Sequence, residues 1–198
     1  MMTTSKIATS LLTLVLLFAV SSMTARGESV FVALLDAAQE VHDSTSQATG
    51  RGTFVLNDEE TELSYFIELF GLDVATPVVD PNDVMGLHIH QAPAGSNGGI
   101  SFGMISPTHD LDDLVIDGTA GTVSGVWEDS DATANVPLSD SLDALRSGDL
   151  YVNVHTSGEA RGAIRGQILA VPEPTTLSLM ATVLAIFAVA RRRRTGRA

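Results

Sequence analysis

The sequence predicts an all-β domain: an antiparallel β-sandwich with Greek-key connections and one short helix, set between two apolar segments. Three observations predict it. Apolar residues alternate with period two through several short runs. Turn residues recur between those runs. One stretch alone carries helix signals at both of its ends.

Residues 1–27 read as a secretory signal peptide. Lys6 supplies the basic start, Ile7 to Val20 the apolar stretch, and Ala25-Arg26-Gly27 a small-x-small cleavage site before Glu28. The 14 apolar-biased residues are short for a bilayer span.

Residues 28–170 hold the domain. In Glu62 to Phe70, the residues Leu63, Tyr65, Ile67 and Leu69 share one face, while Phe66 and Phe70 lie on the other. Similar strands are expected at Val30–Leu35, Gly52–Asn57, Leu87–Gln91, Thr122–Glu128, Leu150–Thr156 and Ala163–Leu169. Asn57-Asp58, Asn97-Gly98-Gly99, Asp117-Gly118, Ser147-Gly148 and Ser157-Gly158 mark turns between them. The helix is expected to start near Ser139 or Ser141, either of which can cap it. Leu142 and Leu145 give it an apolar contact, and Gly148 stops it. Strands that outnumber helices in this way fit an immunoglobulin-like sandwich better than a parallel sheet.

Charge narrows the partners. Glu28 to Ala170 carry 23 of the 24 acidic residues and four of the 11 basic ones (Arg51, Arg146, Arg161, Arg165), a balance of −19. Such a surface repels nucleic-acid phosphates and anionic headgroups. Cysteine is absent, which removes disulfides, zinc–thiolate sites and cysteine nucleophiles. No phosphate-cradling loop with its Lys-Ser/Thr occurs. The acidic loops lack EF-hand spacing. Tyr65, Tyr151 and Trp127 are too few for an aromatic glycan platform, and Trp127 reads as core.

The C-terminal residues 171–198 form a second address. Pro172-Glu173-Pro174 is followed by the uncharged segment 175–190 and then by Arg191, Arg192, Arg193 and Arg194. The arginines favour the cytoplasmic side and place the acidic domain outside. This order resembles the PEP-CTERM sorting signal of Gram-negative bacteria that make extracellular polysaccharide. The resemblance implies recognition by an exosortase, a transpeptidase-like membrane enzyme thought to cut near the Pro-Glu-Pro motif. It also implies insertion into the inner membrane through 175–190 on the way to the cell surface or the medium.

Three blocks within residues 31–169 resemble the CHRD domain. The first is Leu35-Asp36-Ala37-Ala38-Gln39-Glu40-Val41 with Ala48-Thr49-Gly50 and Phe54. The second is Gly86-Leu87-His88-Ile89-His90 with Pro93-Ala94-Gly95 and Asn97-Gly98. The third runs from Leu145 through Tyr151-Val152-Asn153-Val154-His155-Thr156 to Arg161-Gly162-Ala163-Ile164-Arg165-Gly166-Gln167-Ile168. Two departures concern loops: His42-Asp43 stand where the family usually has proline, and Arg161-Gly162 lacks a preceding glycine-rich turn. The resemblance implies a β-sandwich-like extracellular module and supplies no reaction.

One constellation could carry chemistry. On a strand, His88 and His90 point to the same face, about 7 Å apart. His155 shares a face with Tyr151 and Asn153 on its own strand. If the two strands pair, three imidazoles converge on a copper, zinc or nickel site. The Gly-x-His-x-His run is similar to the copper-ligand strand of Cu/Zn superoxide dismutase. The bridging-histidine loop and the disulfide of that enzyme have no counterpart here. His42 and His109 fall in expected loops and read as exposed. The leading expectation is therefore a non-catalytic exported module without a cofactor, acting on the cell surface or in the extracellular matrix. Its partners would be the exosortase, and extracellular polysaccharide or envelope proteins, but not nucleic acid. The alternative is a metal-binding protein or metal-dependent enzyme using His88, His90 and His155.

Overall fold

The computed structural model describes residues 28–74, 80–131, 136–172 and 184. The signal peptide expected at 1–27 lies outside the described residues, and so do Glu173, Pro174, the apolar segment 175–190 apart from Leu184, and Arg191 to Arg194. Among the described residues no helix is long and apolar enough to cross a membrane.

The expected strands form. They are β1 (Ser29–Asp36), β2 (Thr49–Leu56), β3 (Glu62–Phe70), β4 (Val84–Gln91), β7 (Thr122–Glu128), β8 (Leu150–Thr156) and β9 (Ile164–Gln167). Three more appear: β5 (Gly99–Ile105), β6 (Val115–Asp117) and β10 (Leu169–Ala170). All their pairings are antiparallel.

The strand order is β5-β4-β8-β9-β1-β2-β3-β7-β6, with β10 beside β1. Three connections cross between its halves: β3 to β4, β5 to β6 and β7 to β8. The expectation was two sheets packed face to face, but the hydrogen bonding follows one continuous path. β1 is the reason. It pairs with β2 along its whole length, while its other edge meets β10 at Phe31 and Val32 and β9 at Asp36. A strand shared by both halves merges two sheets into one.

That sheet curls over its core. Phe102 on β5 stacks on Trp127 of β7, with ring centroids 5.0 Å apart and planes 16° apart. Tyr65 of β3 meets the Phe102 ring edge-on at 6.0 Å. These strands are far apart in the order, so only a curled sheet brings them together. Trp127 is fully buried, as its spacing suggested. The inward positions of β3 are the four residues of its alternating face, Leu63, Tyr65, Ile67 and Leu69.

Helix α1 (Leu138–Ser147) buries Leu138, Ser141, Ala144 and Leu145. Neither Ser139 nor Ser141 caps it. Asp129, ten residues upstream, accepts the Ser139 N–H at 2.9 Å, and this bond holds the Asp129 carboxyl below its usual range. A side chain delivered by a folded loop has replaced the local cap. Gly148 ends the helix at φ +78°, a conformation that favours glycine.

The two ends of the domain lie together. β10 flanks β1, and the Val171 N–H donates to Val30 O at 2.8 Å.

Candidate metal centre

The site is a grid on one face of β4, β8 and β9. Register sets Gly86 opposite His155, His88 opposite Asn153 and His90 opposite Tyr151. Across β8, Asn153 meets Arg165 and Tyr151 meets Gln167. The intervening residues Leu87, Ile89, Val152, Val154 and Ile164 all enter the core. Period two thus sorts these strands into an apolar face and a polar face. The polar face is nonetheless sheltered: His88, His90, Asn153, Arg165 and Gln167 are buried.

The three histidines converge as their spacing suggested. Ring centroids lie 5.0 Å apart for His88 and His155, 5.5 Å for His88 and His90, and 6.1 Å for His90 and His155. One ligand nitrogen from each lies within 4.8 Å of the others. Gly86 makes the room. A Cβ there would come within 2.9 Å of His88 Cε1 and 3.5 Å of His155 Cδ2.

Each ring has one nitrogen committed and one free. His88 Nε2 lies 2.9 Å from Ser106 O, His90 Nδ1 3.1 Å from Gly98 O, and His155 Nδ1 3.1 Å from Ala160 O. A carbonyl oxygen only accepts, so the nitrogen facing it carries the proton. The opposite nitrogens, His88 Nδ1, His90 Nε2 and His155 Nε2, are then bare lone pairs. All three are buried and without a hydrogen-bond partner. Burial pushes the pKa of each ring down, for His90 to about 4. The rings are therefore neutral at pH 7, the form that binds metal.

A second layer fixes the first. The Tyr151 ring stacks on His90, with centroids 5.1 Å apart and planes 12° apart, and its hydroxyl accepts the Gly98 N–H at 3.1 Å. The Arg165 guanidinium lies 3.4 Å above the Tyr151 ring. Arg165 also donates to Ser96 O at 2.8 Å and Pro93 O at 3.3 Å, and Gln167 Nε2 donates to Ala92 O at 2.8 Å. These bonds fold residues 92–98 back over the face, and so position the Gly98 carbonyl that sets the His90 tautomer. At Gly98 a Cβ would collide with Gln91 O.

Sequence reasoning missed Glu40. Its side chain is 1% exposed, and it arrives from the short 3-10 turn after β1. Burial pushes its carboxyl up to about 7, against the pull of the Arg165 guanidinium. Its Oε2 lies 3.6 Å from His42 Nδ1. His42 is no exposed loop residue, since its side chain is only 11% exposed. His109 is also buried, and its Nδ1 accepts the Gly103 N–H at 3.0 Å. Long-range loop packing buries both, and no local pattern reports it.

A second polar cluster gathers elsewhere. Carboxylate oxygens of Asp110, Asp112 and Asp113 lie within 4.8 Å of one another. The Tyr65 hydroxyl donates to Asp110 Oδ2 at 2.5 Å. Asp113 Oδ1 accepts the Val126 N–H at 2.8 Å, and Asp131 Oδ2 accepts the Glu128 N–H at 2.9 Å. β6 reaches only as far as Ser124 on β7, so these carboxylates take up donors that it leaves unpaired.

Comparison with known families agrees with the domain resemblance and with the C-terminal motif. The CHRD domain model matches residues 31–168, well over half of the chain. The PEP-CTERM protein-sorting motif matches residues 170–194, which marks the chain for export and for sorting by an exosortase. No curated protein matches the chain. Domain and address together place it: the protein belongs to the CHRD domain family and carries a C-terminal PEP-CTERM sorting motif.

Proposed function

We propose that this exported protein is a metal-binding module of the cell envelope. His88, His90 and His155 hold one transition-metal ion of the copper, zinc and nickel group. One observation carries the reading: three imidazoles bring ligand nitrogens within 4.8 Å of one another, and each ring has one buried nitrogen with no hydrogen-bond partner. Each unpartnered buried acceptor costs about 1–3 kcal/mol. A cation bound to all three removes that cost, and neutral nitrogen donors suit these borderline metals. With three protein ligands, a fourth position stays open.

The role is binding rather than catalysis. The module is exported by its N-terminal signal, held in the inner membrane through segment 175–190, processed at Pro172-Glu173-Pro174 and delivered to the surface or the extracellular polymer, with polysaccharide or envelope proteins as neighbours. The export and sorting motif supports delivery, and the −19 balance of the domain favours cations over anions. The crossing connections, with Phe102 stacked on Trp127 across the curl, support reading its shape as a curled relative of the immunoglobulin-like sandwich architecture.

The test is elemental analysis and native mass spectrometry of the purified chain. One copper, zinc or nickel ion per chain is expected, lost in the His88→Ala/His90→Ala double variant. Absence of metal after incubation and desalting, or equal uptake by the double variant, overturns the reading.

A further inference from the structure

Buried polar atoms without partners are rare in folded proteins, and each calls for an explanation. Seven such side-chain atoms occur among the described residues. Three are the histidine nitrogens already assigned to a metal, and Trp127 Nε1 lies apart in the core. The other three are Glu40 Oε1, His42 Nε2 and Asn153 Oδ1.

These atoms adjoin the metal site. Asn153 lies directly opposite His88 across the β4–β8 ladder and two residues before His155, on the same face. Its side chain therefore sits in the corner that the three histidines enclose. Glu40 reaches the same corner from outside the sheet. Gly162 touches both: at its φ of +134° a Cβ would collide with Glu40 Oε1 and come within 2.8 Å of Asn153 Oδ1. The lack of a side chain at residue 162 lets the two oxygens approach each other. His42 stands beside Glu40, its Nδ1 3.6 Å from Glu40 Oε2.

We propose that Asn153 Oδ1 and Glu40 Oε1 form a seat, at the open coordination position, for a ligand that donates hydrogen bonds. The proposal rests on the metal reading above. The argument is one of complementarity. Two neighbouring acceptors lack donors, and a metal with three nitrogen ligands lacks a fourth. A water molecule or a hydroxyl group satisfies both needs at once. Its oxygen lone pair goes to the metal, and its O–H groups point to the two oxygens. The class of ligand is small and protic: water at rest, and an alcohol or sugar hydroxyl when one is offered. An anion with acceptors only, such as azide, faces two oxygen lone pairs there and is disfavoured.

The test compares azide binding by the copper-loaded full-length chain and its Glu40→Gln variant, read from the copper charge-transfer band, with copper content measured in each sample. Glutamine supplies a permanent N–H donor; the comparison is made at about pH 8.5, above the value to which burial pushes the Glu40 carboxyl, so that the wild-type group only accepts. Azide affinity is expected to rise at least about tenfold in Glu40→Gln, equivalent to 1.4 kcal/mol. Ethylene glycol, a protic ligand, is expected to bind the variant more weakly than the wild type. If Glu40→Gln does not fold, Asn153→Leu carries the same test, since it removes the other acceptor. An azide affinity within twofold of wild type, at full copper loading, overturns the seat and leaves the metal site standing. A wild-type chain that takes up no copper overturns the metal reading, and the seat with it.

Discussion

Among the described residues two polar clusters stand out, the histidine face sheltered and the acidic one partly exposed, and they are built on opposite plans. On the histidine face, His88 Nδ1, His90 Nε2, His155 Nε2, Asn153 Oδ1 and Glu40 Oε1 all lack partners. In the acidic cluster, Tyr65, Asp110, Asp113 and Asp131 bond to one another or to the β7 backbone. Both are rich in potential ligands, and both bring oxygens or nitrogens within 4.8 Å. Ligand count therefore does not separate them. Saturation does. A cluster whose members satisfy each other is a piece of architecture. A cluster whose lone pairs face inward without donors is incomplete until something binds.

Gly125→Ala tests the saturated cluster most severely. The new Cβ would collide with Asp110 Oδ2, meet Tyr65 Oη at 2.5 Å and lie 2.9 Å from Asp113 Oδ1. Urea unfolding is expected to show a loss of about 3 kcal/mol, with metal content unchanged. A loss of metal would join the two clusters functionally and break the contrast.

The second prediction uses pH. Burial raises the Asp131 carboxyl from 3.8 to about 6. The folded state then keeps a proton that the unfolded chain releases, so stability falls as pH rises from about 4 to 6. Asp131→Asn is expected to remove roughly 2 kcal/mol of this decline, measured as the difference between urea midpoints at pH 4 and pH 7. The histidines act in the opposite direction. Burial lowers His90 to about 4, so its contribution is full above 6.5 and is lost as pH falls toward 4. A comparison of wild type with the Asp131 variant cancels that background.

The smallest effect is the sharpest test of the contrast. His155→Leu removes an unpartnered nitrogen, at the cost of the ring's bond to Ala160 O. In metal-free protein it is expected to change stability by no more than about 1 kcal/mol, in either direction. In metal-loaded protein the same variant loses the added stability that bound metal gives. Thermal melts with and without chelator measure both. Equal melts under the two conditions in the wild type would sink the idea that the site is completed by metal.

The histidine trio was legible in the sequence because period two and a shared face are local properties. His88 and His90 are two residues apart, and Asn153 and His155 repeat the spacing one strand away. What lies above that face was not legible. Glu40, His42 and the Arg165 clasp reach it through loops, whose return path depends on bonds such as Arg165 to Ser96 O across 69 positions. Strand β5 escaped for a local reason. Asn97-Gly98-Gly99 reads as a turn, and Gly99 is in fact the first residue of the strand. The merger of two sheets into one depends on both edges of β1, and a sequence pattern reports faces rather than edges.

The placement of the two termini has a mechanical consequence. Val171 is hydrogen-bonded to Val30, and β10 contributes just two residues beside β1. A tether joined to either end pulls at one corner of the sheet. Tension from the C-terminal side unzips a two-residue ladder beside β1 before it reaches β9 and the β8 strand paired with it. β10 is thus a short fuse, the first ladder to part before load reaches the strands of the histidine face.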